Sequence, residues 1–166
     1  MMDANYYQAR HSLHNGLFIN DGFFPDLDLV TLQKRHRIDT EISIEALYGS
    51  VLETVTLINR DLYPWVCSQV KKGYLALQDV PCPTYAYQYD ANSEPISANH
   101  YETLYQQAIF FRVKADLTRE NSHHTLSKEG IRRDMRYTEL SDDFYRRSTW
   151  AVRMIKGKRT TRVRLL

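Results

Sequence analysis

Histidines, cysteines and close carboxylate pairs are the residues of this chain that could do chemistry, and their spacing decides what they can do. His11 and His14, in "HSLH", would lie one turn apart on a helix. A zinc site takes four ligands in a tetrahedral array, and His123 and His124, in a breaker stretch, are the partners that could complete one. Paired surface histidines need no metal, so neither a metal nor another cofactor is expected; a metal enzyme built on these four residues is the alternative. Cys67 and Cys82 share no CxxC spacing and read as free thiols of a reducing compartment. Asp26 with Asp28, and Asp142 with Asp143, fall near helix starts, where carboxylates suit the helix dipole. Neither pair sits in an apolar setting that would lift a pKa toward a general acid's range. The chain has no GxGxxG, no GxxxxGK[ST] and no GxSxG. It is not expected to be an enzyme.

Charge points toward binding instead. Residues 132–166 carry 11 Lys and Arg against 4 Asp and Glu, while the whole chain is only +2. A basic end on an acidic body suits recognition of copies of itself or of an acidic partner. Arg146, Arg147 and Arg153 lie on the polar faces of the last helical segment. Beyond it, Lys158, Arg159, Thr160, Thr161, Arg162, Val163, Arg164, Leu165 and Leu166 form a basic tail whose end alternates polar and apolar residues, as a strand does. Such a tail could add a strand to another chain's sheet edge. It could equally grip phosphates, making the chain a nonspecific nucleic-acid-binding helical protein, although nothing resembles a sequence-reading head. No run of 18 apolar residues exists, so no membrane partner is expected.

The elements that must hold these residues are mostly helical. Residues 1–22 show no sustained period and read as an arm. Asp26 is placed to cap a short helix reaching about Arg37. Ser43 caps the strongest pattern in the chain, with Ile44, Leu47, Val51, Val55, Ile58, Leu62, Val66 and Val70 at spacings of three and four, closed by Gly73. Pro64 lies inside it and predicts a kink or break near residues 60–64. Residues 74–98 form a long connection rich in proline, with Tyr85, Tyr87 and Tyr89 alternating. A further helix spans about Ala98 to Glu120, with Tyr101, Leu104, Tyr105, Ala108, Phe111 and Ala115, and Phe110 at the edge of the stripe, turned inward. The last starts at Ile131 or Thr138 and ends at Lys156, with Leu140, Phe144, Ala151, Met154 and Ile155 as its apolar residues, Trp150 near its end and Gly157 as its stop. The fold class is mainly α: an antiparallel helical bundle with a long kinked helix, a proline/tyrosine-rich loop and extended arms at both ends. Its divisions are an N-terminal arm over 1–22, a helical domain over 23–157 and a basic C-terminal arm over 158–166.

Five stretches carry a resemblance: "FFPDLDL" (Phe23 to Leu29), "LINRDLY" (Leu57 to Tyr63), "KKGYLALQDVP" (Lys71 to Pro81), "LYQQA" (Leu104 to Ala108) and "STWAVRMIKGK" (Ser148 to Lys158). In this order and spacing the chain resembles the head completion proteins of peduovirus-type tailed bacteriophages. Pro64 stands where that family has a helix former. The resemblance implies a virion protein of the portal vertex or neck, assembled in the host cytoplasm. It implies a head-to-tail adaptor that forms a ring, a dodecamer matching the portal protein. Such a ring retains packaged double-stranded DNA without reading its sequence and docks the next connector or a tail-terminator protein. Residues 158–166 are then expected to bind the portal, and Phe23, Phe24, Asp26, Arg146, Arg147 and Arg153 to form contacts between subunits.

Overall fold

A computed structural model describes residues 12–39, 41–81, 83, 88–89, 95–96, 100–120 and 128–158. The fold is mainly helical, as the pattern predicts. In chain order it comprises β1 (Ser12–His14), β2 (Leu17–Ile19), β3 (Leu27–Asp28), α1 (Leu29–Arg35), α2 (Ile44–Lys71), a single 3-10 turn (Leu77–Asp79), β4 (Gln88–Tyr89), β5 (Pro95–Ile96), α3 (His100–Glu120) and α4 (Lys128–Ile155).

Three antiparallel strands form a sheet in the order β1-β2-β3, and the first two lie within the span 1–22 that the sequence reads as an arm. The signal is local. Asn15 and Gly16 both take positive φ, 50° and 80°, which is the turn that matches the twist of a two-residue hairpin and that Asn-Gly adopts most readily. Phe18 pairs with Leu13 on one side and Leu27 on the other, and its ring is fully buried. Residues 12–22 are therefore part of the packed body. The cap of α1 also differs from expectation by two residues. Asp28, not Asp26, accepts from the Thr31 backbone at 3.0 Å and from the Thr31 hydroxyl at 2.6 Å. Those bonds hold the Asp28 carboxyl below its ordinary pKa. Asp26 instead accepts from the Asn20 backbone at 2.8 Å, tying the loop before β3 together.

Ser43 caps α2 as expected, accepting from the Ala46 amide at 3.2 Å. The helix continues without a break through Pro64. Pro64 and Arg60 are both exposed, so the carbonyl that loses its helical partner at residue 60 faces solvent, while Leu62 and Val66 on the buried face anchor both sides. Gly73, at φ 95°, ends α2 by the two-bond pattern in which its own amide reaches Val70 and that of Tyr74 reaches Gln69, at 2.9 and 3.2 Å. Gly157 ends α4 likewise, with amides of Gly157 and Lys158 bonded to Met154 and Arg153. Helix α1 closes the same way on Arg37, whose φ of 52° a side chain tolerates poorly.

Helix α3 is the central element. Leu104, Tyr105, Ala108, Ile109, Phe110, Val113 and Ala115 are all buried, a wider arc than one packing partner needs. The sequence pattern gives too narrow a stripe here because α2 covers one side of α3 and α4 the other. Helix α4 begins at Lys128, ahead of the start expected at Ile131 or Thr138. No helix among the described residues is long and apolar enough to cross a membrane.

Candidate assembly surface

Four segments converge on one buried polar ring. Asn20 Nδ2 donates to Tyr105 Oη at 2.9 Å, Tyr105 Oη donates to Asn59 Oδ1 at 2.7 Å, and Asn59 Nδ2 returns to Asn20 Oδ1 at 3.1 Å. Asp21 accepts from Asn59 and, through its other oxygen, from the amides of Phe23 and Phe24. Burial pushes the Tyr105 hydroxyl well above the usual phenol range. Phe24 stacks on Tyr105 with ring centroids 4.3 Å apart, and Leu77 donates its amide to the Phe23 carbonyl at 2.8 Å. A network in which each member both gives and receives fixes the relative register of the loop, α2 and α3. Phe23, Phe24, Asn59, Leu77 and Tyr105 come from four of the five stretches quoted above, so those stretches mark joints of the fold.

The fifth stretch forms the joint with α4. Tyr137, Ser141, Phe144, Ser148, Ala151 and Ile155 recur at alternating spacings of four and three along the side of α4 that is wholly or partly buried. Ser148 Oγ donates to the Ala108 carbonyl at 2.7 Å and Ser141 Oγ to the Ala115 carbonyl at 2.9 Å. Both pairs are seven residues apart on their helices and run in opposite directions, so α3 and α4 are antiparallel. Small residues on both sides let the backbones approach closely. At the edges of this seam Arg112 lies over the Tyr145 ring at 4.0 Å, Arg147 over Phe111 at 5.6 Å and Lys114 near Phe144 at 4.8 Å. Burial raises the pKa of Asp116, which pairs with Arg112 at 3.7 Å. Lys156 reaches from the end of α4 to Asp61 on α2.

The residues expected to contact other copies divide into two groups. Phe23 and Phe24 are buried in the chain's own core, because the loop that carries them folds against α2 and α3. Asp26 is exposed but serves the Asn20 turn. Arg146, Arg147 and Arg153 are exposed on α4; Arg146 and Arg147 share Asp143, at 3.7 and 2.8 Å. Lys158 ends the described chain, exposed just past the α4 cap. Residues 159–166, His11, His123, His124, Cys82, Tyr85 and Tyr87 lie outside the described residues. His14 is in β1, and no group of three metal-ligating side chains occurs among the described residues. The sequence reading missed Trp150 as a surface residue: it is 44% exposed, on the side of α4 away from α3. Its offset from the serine seam is the signal that could have shown this.

Between α3 and α4 the charged side chains pair with one another, Arg112 with Asp116, Arg119 with Asp142, and Arg146 and Arg147 with Asp143, and Lys158 makes a basic exit at the end of α4. The matching family model is the phage head completion protein (GPL) model, over residues 18–166. The chain belongs to that family. A probable head completion/stabilization protein of Haemophilus phage HP1 is 29% identical over 147 residues, covering 89% of this chain and 90% of the relative. The head completion/stabilization protein of Escherichia phage P2 is 25% identical over 139 residues, covering 84% and 76%. No solved structure matches.

Proposed function

We propose that this chain is a structural virion protein that closes the filled phage head at the portal vertex. Copies form a twelvefold ring beneath the portal, help retain the packaged DNA and offer the docking surface for the next connector or tail terminator. The observation that carries this reading is the way α4 ends. The Gly157 cap turns the chain out of the helix, with Lys158 exposed, so the alternating basic tail starts from a rigid base rather than from a loop. The family match extends through residue 166, which makes the tail part of what is shared. A strand-forming tail pairs its backbone with a sheet edge, and Val163 and Leu165 fill pockets there. The exposed arginines of α4 supply contacts between copies, and a ring requires such contacts to join two different patches. No chemical step is required of the chain.

The test is a truncation after Lys158, whose amide closes the α4 cap and must stay. The chain lacking residues 159–166 should keep its helical circular dichroism and fail to join purified portal rings. Normal joining by the truncated chain would reject the tail's role. A direct phosphate grip would instead show as tight duplex binding by the isolated chain that collapses with added salt.

A further inference from the structure

The end of α1 carries positive charge that the fold itself does not use. Lys34, Arg35 and Arg37 are all exposed there, and Lys114 of α3 reaches the same corner, donating to the His36 carbonyl at 2.9 Å. Cations at a helix C-terminus ordinarily offset its dipole. Here other groups already answer the open carbonyls. Those of Leu32, Gln33 and Lys34 accept from the amides of His36, Ile38 and Arg37, and Lys114 takes that of His36. Lys34 also helps to lower the pKa of Asp28 at the start of the helix. Arg35 and Arg37 have no acidic partner among the described residues. Asp39, the nearest acid in sequence, accepts from the Glu41 amide at 3.0 Å.

Three further observations mark the corner as a place for an anion. Arg37 takes a φ of 52°, where glycine would be relaxed, so a charged side chain is kept there against backbone strain. Its loop is pinned, because Gln33 Nε2 donates to the carbonyls of Asp39 and Ile42 at 2.8 and 2.9 Å. His36, stacked on Phe110 at 4.2 Å, has its pKa lowered by burial and then by Arg35 and Lys114, which is the sign of a positive field that nothing nearby cancels. We infer that this corner, formed by Lys34, Arg35, Arg37 and Lys114, is a contact surface for the phosphate backbone of duplex DNA. A protein partner needs an apolar centre to its interface, whereas the rings beside these cations, His36 and Phe110, are stacked within the joint between α1 and α3. Phosphate contacts need only positive charge on a fixed frame, and they read no sequence. That the duplex is the packaged one, with this corner turned to the lumen of the ring, rests on the proposed function; the binding itself does not.

Fluorescence anisotropy of the full chain with a short labelled duplex tests this. Arg35→Ala and Arg37→Gly together should weaken binding roughly tenfold or more at 50 mM salt and make the slope of log affinity against log salt shallower by about 2. Arg37→Gly alone should weaken binding while raising the unfolding midpoint, a combination that loss of fold cannot produce. Lys71→Ala with Lys72→Ala removes the same charge from the exposed end of α2 and should change affinity less than about threefold. Unchanged affinity in the Arg35 and Arg37 variants, or an equal loss in the Lys71 and Lys72 variant, would overturn the inference. So would displacement of the duplex by polyglutamate as readily as by unlabelled duplex of equal charge, which would assign the corner to an acidic protein. Joining to portal rings is scored on the same preparations with the tail intact, so failure of the ring reading appears there while duplex binding is measured separately.

Discussion

Replacing Tyr105 by Phe isolates the polar joint from the packing around it. The variant keeps the ring that stacks on Phe24 and removes one oxygen. That oxygen donates to Asn59 at 2.7 Å and accepts from Asn20 at 2.9 Å. Each buried group left without a partner costs about 1–3 kcal/mol. Asn20 Nδ2 retains its bond to the Pro25 carbonyl at 3.1 Å, so its loss is partial. The expected destabilisation is therefore about 2–3 kcal/mol, enough to remove a large share of an ordinary domain's stability. Urea unfolding followed by circular dichroism measures it, with an unchanged m value showing that the native surface is intact. A pH arm makes the test specific. Burial raises the Tyr105 pKa above the unfolded value near 10. Above that pH the unfolded chain releases this proton and the native chain holds it, so the wild-type contribution is complete below pH 10 and falls as pH rises. At pH 11 the loss amounts to about 1.4 kcal/mol, a cost the Phe variant does not carry. The gap between the two proteins should shrink by that amount from pH 7 to pH 11. A neutral-pH effect under about 1 kcal/mol, or a gap that does not shrink, would refute the claim that the ring is closed and buried.

Other perturbations probe separate joints. Ser148→Ala should cost about 0.5–1.5 kcal/mol in thermal or urea unfolding, since the Ala108 carbonyl keeps its helical partner, whereas Ser148→Leu should cost more by forcing α3 and α4 apart. His36 stacks on Phe110 at 4.2 Å, and burial, Arg35 and Lys114 lower its pKa. Its contribution is thus complete above about pH 6.5 and lost as pH falls through the depressed value; NMR titration should place the midpoint below 6.5. Arg37→Gly relieves a positive φ at the end of α1 and should raise stability by about 0.5–1 kcal/mol in the same unfolding assay.

Much of this architecture is legible in the residues, for reasons that differ by element. Helix α2 announces itself because one face meets the core over its whole length, so spacing and burial coincide from Leu47 to Val66. Its caps, Ser43 and Gly73, are local chemistry and equally plain. Helix α3 is harder, because burial on two sides erases the contrast on which periodicity depends; Ile109 and Val113 escape a one-stripe reading. The first hairpin was signalled by Asn15-Gly16, yet three-residue strands leave almost no alternation to read. Phe23 and Phe24 look like a sticky surface pair next to Pro25. What buries them is the polar ring of Asn20, Asn59 and Tyr105, residues 39 and 46 positions apart in two of its bonds, which no local pattern displays. The tail's basic alternation is visible in sequence, but the rigid base from which it starts emerges only from the α4 cap.

The most direct measurement of the central claim uses filled heads isolated from infections that lack this chain. Purified protein is added back, and nuclease-resistant DNA and joined tails are counted. The account requires both to rise together as the protein is added, saturating at about twelve copies per head, the number of the proposed ring. Heads that hold their DNA and take tails equally well without it would contradict the assignment.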